Sequence, residues 1–210
     1  MLGSSTEMAP RPALVMMITM AVVFTAQATD LELTTDFFVS VGTNKANLTG
    51  DYFTSMDFRC EPQIPEGARV AVKKITSDTF PVLTGLGLSS AQIKYLPGGI
   101  NPPHTHPRGT ELLLVQKGTL TVGLVDTTNK FYTQVLRKGD VFVFPKGLVH
   151  YQINLGHKPV IAYVAFSSSN PGTVSLPATL FGSGIPDNVH MTAFKVDGGV
   201  VDSLQRPFGK

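Results

Sequence analysis

Between Val70 and Phe166 the chain alternates short apolar blocks with breaks at Gly, Pro, Asn and Asp. The blocks are Val70-Ala71-Val72, Gln92-Ile93-Lys94-Tyr95, Leu112 to Val115, Thr119 to Val125, Phe131 to Leu136, Val141 to Phe144 and Val160 to Phe166. Each predicts a strand, and a run of short strands at this spacing predicts an all-β sandwich or barrel. Asp126-Thr127-Thr128-Asn129 and Arg137-Lys138-Gly139-Asp140 carry turn residues and read as connections between strands. The character changes after Pro177. Val189 to Val196 and Val200 to Leu204 predict short helices, which would pack outside the β unit. No repeat or low-complexity segment interrupts this pattern.

The N-terminal pattern is different. Arg11 precedes an apolar stretch, Ala13 to Ala26, broken only by Thr19 and Thr25, and Ala26-Gln27-Ala28 has the small-x-small form cut by signal peptidase. Residues 1–28 therefore predict a cleaved signal peptide, with the mature chain starting near Thr29; Met8 offers a second start with a shorter leader. The stretch is shorter than the roughly 20 apolar residues that a membrane span requires, and no later segment is apolar enough to span. Residues 29–210 then suit one domain with a sizeable core.

Charge excludes one class of partner. The formal net charge is +2 with no basic block, so nucleic acid is not an expected partner. A secreted route permits disulfides, but Cys60 stands alone. It is expected to be buried and inert, with pairing between chains as the alternative. Asn47-Leu48-Thr49 fits the N-glycosylation sequon in a polar stretch.

The candidate chemistry lies in two segments, GGINPPHTHPRGTELLLVQKG and GDVFVFPKGLVHYQIN. They hold three of the five histidines, His104, His106 and His150, together with Glu111. Residues two apart on a strand share a face, so His104 and His106 can point into one interior, with Glu111 and His150 supplied from elsewhere. Apolar runs beside Glu111 and His150 imply burial, where unpaired polar groups are costly. A divalent ion would satisfy all four, and the mixed N/O set accepts manganese, iron, zinc, copper or nickel. Pro102-Pro103 removes two backbone donors and stiffens the approach to His104. His157 and His190, outside the two segments, are expected at the surface.

These segments resemble the two boxes of the cupin superfamily, and in detail those of plant germins and germin-like proteins. Box one is Gly99 to Gly118, with His104, His106 and Glu111; box two is Gly139 to Asn154, with Pro145, Gly147 and His150. The resemblance continues through PGTVSLPATLFGSGIP and KVDGGVVDSLQ, and so covers most of the chain after about Thr34. It departs at the mature N-terminus, where germins usually carry a cysteine pair and this chain has only Cys60.

The resemblance implies a cupin double-stranded β-helix, a jelly-roll barrel, with short C-terminal α-helices. It also implies that residues 177–210 clasp a neighbouring subunit in a homo-oligomer, a hexamer. The implied cofactor is a manganese ion held by His104, His106, Glu111 and His150. The implied activity is superoxide dismutation to hydrogen peroxide in the apoplast or cell wall. A non-enzymatic storage or small-molecule-binding cupin is the alternative. In true oxalate oxidases two asparagines near the metal are thought to hold the substrate. Asn101 matches one, while the other position is Ala91, and its neighbour Gln92 would face the opposite way on a strand. Oxalate oxidation is therefore expected to be weak or absent.

Overall fold

The computed structural model describes residues 30 and 32–209, so the expected signal peptide lies outside the described residues. Among the described residues, ten strands form two five-stranded antiparallel sheets. The strands are β1 Val70–Ile75, β2 Ser89–Tyr95, β3 Ile100–Thr105, β4 Glu111–Lys117, β5 Thr119–Val125, β6 Phe131–Arg137, β7 Val141–Phe144, β8 Val149–Ile153, β9 Val160–Phe166 and β10 Val174–Ser175. One sheet has the order β1-β2-β9-β4-β7, and the other β10-β3-β8-β5-β6. Apart from the β1–β2 and β5–β6 pairs, consecutive strands alternate between the sheets, as in a jelly roll, and their inward faces enclose a common interior.

The pattern that predicts the strands also sets their faces. Along β4, Glu111, Leu113 and Val115 are buried while Leu112 and Leu114 are exposed. Leu113, Val115, Leu120, Val122, Tyr95 and Val160 lie at 0% exposure and form the centre of the core. Complete burial of a Leu or Val contributes about 1.5–3 kcal/mol each. The chain passes from β4 in one sheet to β5 in the other through Gly118 alone. This residue has φ +87°, and a Cβ on it would lie 2.9 Å from the Pro159 carbonyl. Both facts require glycine there.

β5, β7 and β9 occupy the ranges expected from the sequence, and β1, β2, β4 and β6 extend theirs by a few residues. β3 forms despite Pro102 and Pro103 because a register shift between Asn101 and His104 takes up the missing donors. Three helices follow: α1 Leu176–Phe181, α2 Asp187–Phe194 and α3 Gly198–Gln205. The last two overlap the expected helices, each starting two residues earlier, whereas α1 opens at Leu176 and carries Pro177 in its first turn, a favourable place for proline.

Two expectations are corrected. Cys60 is exposed, not buried, because it follows a short 3-10 turn (Asp57–Arg59) on the outside of the barrel. His190 is 2% exposed, not a surface residue. It lies on the covered side of α2, with ring centroids 5.1 Å from Phe181 and 6.1 Å from Phe194. His157 is exposed as expected. No described helix is long and apolar enough to cross a membrane.

Candidate metal centre

His104 and His150 face each other directly across the β3–β8 pair. His106 follows two residues later, just past the end of β3, and returns to the same interior. Glu111 opens β4 in the opposite sheet, so the group bridges the two layers of the barrel. All four side chains are at most 6% exposed, and one ligand atom from each falls within 4.8 Å of the others. The structure thus brings together the four residues that the sequence singles out.

The hydrogen bonds fix which atoms converge. His104 Nδ1 lies 2.8 Å from the Pro102 carbonyl, His150 Nδ1 lies 2.8 Å from the Leu148 carbonyl, and His106 Nδ1 pairs with the Gly172 carbonyl. A carbonyl oxygen only accepts, so each Nδ1 carries the proton and each Nε2 offers a lone pair. His106 Nε2 is 2.9 Å and His150 Nε2 3.4 Å from Glu111 Oε2. His150 Nε2 is also buried without a hydrogen-bond partner. Lone pairs that face a carboxylate in a dry pocket are stable only around a cation. The donor set therefore fits a divalent metal, with anchored Nδ1–H groups of the kind that orient metal-bound imidazoles.

Electrostatics point the same way. Burial, followed by the charge of His150, lowers His104 to about 4, so its imidazole is neutral near neutral pH. Burial alone would raise Glu111; with His106 and His150 protonated, as they can be without an ion, their hydrogen bonds and charge outweigh it and hold the carboxyl at about 2, the same pull that a cation would exert. Phe144 stacks on His150 at 4.4 Å and Phe166 meets His106 edge-on at 4.8 Å, which keeps water from the rear of the centre.

Sequence reasoning missed one member of the site. Gln152 is 0% exposed and donates from Nε2 to Glu111 Oε1 at 3.1 Å, while its Oε1 accepts from Asn101 Nδ2 at 2.9 Å. A usable signal was present, because Gln152 lies two residues beyond His150 on β8 and so shares its inward face. Asn101 stands beside the centre, with Nδ2 3.4 Å from His104 Nε2. Ala91 lines the cavity above the centre, and Gln92 faces away, donating to Tyr163 Oη at 2.6 Å.

That cavity has a volume of about 350 Å³. Its rim is braced by Arg108, which donates to the Asn170 carbonyl at 2.7 Å, and by Asn170, which donates to Asp78 at 3.0 Å. Asp30 accepts from Ser168 Oγ and the Ser169 amide on the same strap.

Comparison with known proteins agrees with this geometry. Residues 61–202 match the family model described as Cupin. Germin-like protein 9-3 of Oryza sativa subsp. japonica is 45% identical over 196 residues, 91% of this chain and 92% of that one. Putative germin-like protein 9-2 of the same organism is 48% identical over 81% of each chain. Among solved structures, an oxalate oxidase in complex with the substrate analogue glycolate is 36% identical, with a TM-score of 0.80 over 86% of this chain and 98% of that one.

Proposed function

The chain belongs to the cupin family, among its germin-like proteins, and from that premise we propose a secreted manganese-dependent enzyme that dismutates superoxide. Two superoxide anions and two protons give dioxygen and hydrogen peroxide. The observation that carries this reading is the convergence of three Nε2 lone pairs and one carboxylate oxygen in a dry pocket. A manganese ion held by His104, His106, Glu111 and His150 would supply alternating one-electron oxidation and reduction. The residues do the rest. Glu111 stays ionised and leaves the centre a net positive charge that attracts a small anion. Asn101 turns an amide N–H towards the inner end of the cavity. The Phe144 and Phe166 rings exclude water behind the imidazoles. Protons enter at the mouth, where Lys74 and Asp78 meet solvent.

Oxalate is a poor substrate in this reading. Ala91 offers no donor and Gln92 is turned away, so one end of the dianion would go unpaired. The alternative of a non-enzymatic binding protein draws support from the cavity, which is larger than superoxide needs.

The mature protein, residues 29–210, is proposed to be one cupin domain that assembles as a homo-oligomer, a hexamer, in the apoplast or cell wall. Residues 177–210 would serve as the contact segment. Two exposed apolar surfaces support assembly. Leu112, Leu114, Val141 and Val143 pair across β4 and β7 on the outer face, and Val189, Phe194, Val200 and Leu204 project from the helices. Asn47 is exposed and is the proposed glycosylation site.

One preparation of mature protein tests all of this. It should carry about one manganese per chain, dismutate superoxide only when loaded, release little peroxide from oxalate, scatter light as an oligomer, and lose mass at Asn47 on deglycosylation. Zinc alone, or dismutation that persists without metal, would overturn the activity; the mass of a single chain would overturn the assembly.

A further inference from the structure

We infer that Arg108 is a positioning residue of the centre: its guanidinium fork clamps the strap, residues 167–173 between β9 and β10, so that the Gly172 carbonyl holds the His106 ring with Nε2 turned to Glu111. This rests on the metal-centre reading above and names what keeps one of its four ligands in place.

The three histidines are anchored over very different spans. His104 and His150 pair with the Pro102 and Leu148 carbonyls, each two residues back along the chain. Those anchors are local. His106 lies past the end of β3, and its ring is held by a carbonyl 66 residues away. Its backbone is tied separately, since the His106 carbonyl accepts from the Gly147 amide at 3.0 Å. That bond fixes where the ring starts and leaves its rotation open. The Gly172 carbonyl closes that freedom, so the His106 ligand atom is only as well placed as the strap.

Arg108 ties the strap to this end of the barrel. Its amide donates to the Pro171 carbonyl at 3.1 Å, its Nε to the Asn170 carbonyl at 2.7 Å, and its Nη2 to Asn170 Oδ1 at 3.1 Å. One residue thus meets both positions just before Gly172. Gly172 itself has φ +67°, and a Cβ on it would lie 2.9 Å from the Arg108 guanidinium. The strap therefore lies against the guanidinium in a form that suits glycine, and from there its carbonyl reaches His106.

The other strap bonds lie to either side. Asp30 accepts from Ser168 Oγ and the Ser169 amide, and the Ser77 amide donates to the Ser169 carbonyl at 2.9 Å. Beyond Gly172, β10 pairs Val174 with Thr105. The strap is fixed at both ends, and Arg108 holds the turn between them that delivers the carbonyl. What Arg108 offers there is shape. Its side-chain partners are a carbonyl and an amide oxygen, not a carboxylate, and the planar fork reaches both at once. A lysine would keep the charge and lose the aligned donors.

Arg108→Met and Arg108→Lys test this. In zinc-substituted protein, which is diamagnetic, nuclear magnetic resonance follows the ring N–H protons of His104, His106 and His150. In both variants the His106 Nδ1 proton should exchange with solvent about tenfold faster or more, with His104 and His150 unchanged. Manganese should leave both loaded variants about tenfold faster than it leaves the unmodified protein. A clamp that only stiffened the fold would change all three ring protons together or none. Arg108→Lys alone decides if Arg108→Met does not fold. A His106 proton as protected as before, equal acceleration at all three rings, or full rescue by lysine overturns the proposal and leaves the metal centre standing. A folded protein that takes up neither zinc nor manganese overturns both.

Discussion

Two regions of this molecule bury histidine, and they do so in opposite ways. In the barrel, His104, His106 and His150 each anchor Nδ1 on a backbone carbonyl and aim Nε2 at a shared point with Glu111. In the helical segment, His190 lies beside Phe181 and Phe194 with Nε2 buried and unpartnered. Burial is nearly the same, 1–6% in the barrel and 2% in the helix. What differs is the company. A carbonyl behind each ring and a carboxylate in front make a place for a cation, whereas aromatic rings around a lone imidazole make only a packing position. A buried histidine is thus informative through its partners and not through its burial.

The sharpest way to break this contrast is to remove one ring from each region. His150→Ala should lower metal affinity by at least about 100-fold, because second-shell losses alone cost 10–100-fold and this removes a ligand. Metal content per chain after dialysis measures it, and undiminished occupancy would refute the four-residue centre.

Acid should have the next largest effect, and its sign follows from the two lowered groups. Folding holds His104 at about 4 against 6.5, so the unfolded chain takes up that proton first. Stability is therefore fully present above about pH 6.5 and declines as pH falls to about 4. Glu111, at about 2 against 4.5, extends the decline from about pH 4.5 to 2. Thermal melts of the metal-free protein should fall steadily across this range, and the loaded protein should release its ion as protons compete for the imidazoles. A melting temperature that stays level from pH 7 to 4 would contradict the His104 environment.

The smallest effect belongs to the helix. His190→Phe removes an unsatisfied nitrogen from an aromatic cluster, so the melting temperature should stay within a few degrees or rise. Metal content should not change. Loss of metal in this variant would mean that the two regions are coupled after all.

Much of this was legible in the chain because β-strand chemistry is local. Gly, Asp and Asn stop the apolar blocks, and period-two alternation places His104, His106 and Glu111 inward. β3 was harder, since its two prolines erase the donors by which a strand is recognised. His190 and Cys60 were misread for one reason. The burial of a residue on a short helix or in an irregular segment is decided by what packs over it, and nothing nearby in sequence announces that Phe181 folds back onto His190 while nothing covers Cys60. The resting place of Gln152 followed the strand period, but its role required knowing that Glu111 would arrive from the other sheet.

The bonds that set the centre join parts of the chain far apart: 66 residues separate His106 from Gly172, 41 separate Gln152 from Glu111, and 138 separate Asp30 from the strap residue Ser168. Such contacts form late, after the entropy of closing long loops has been met. A site assembled from such contacts is complete only once the barrel has closed, so tight binding of an ion would report the finished fold. Selection among divalent ions would then rest on the shape of a finished opening as well as on how hard an open chain grips each metal.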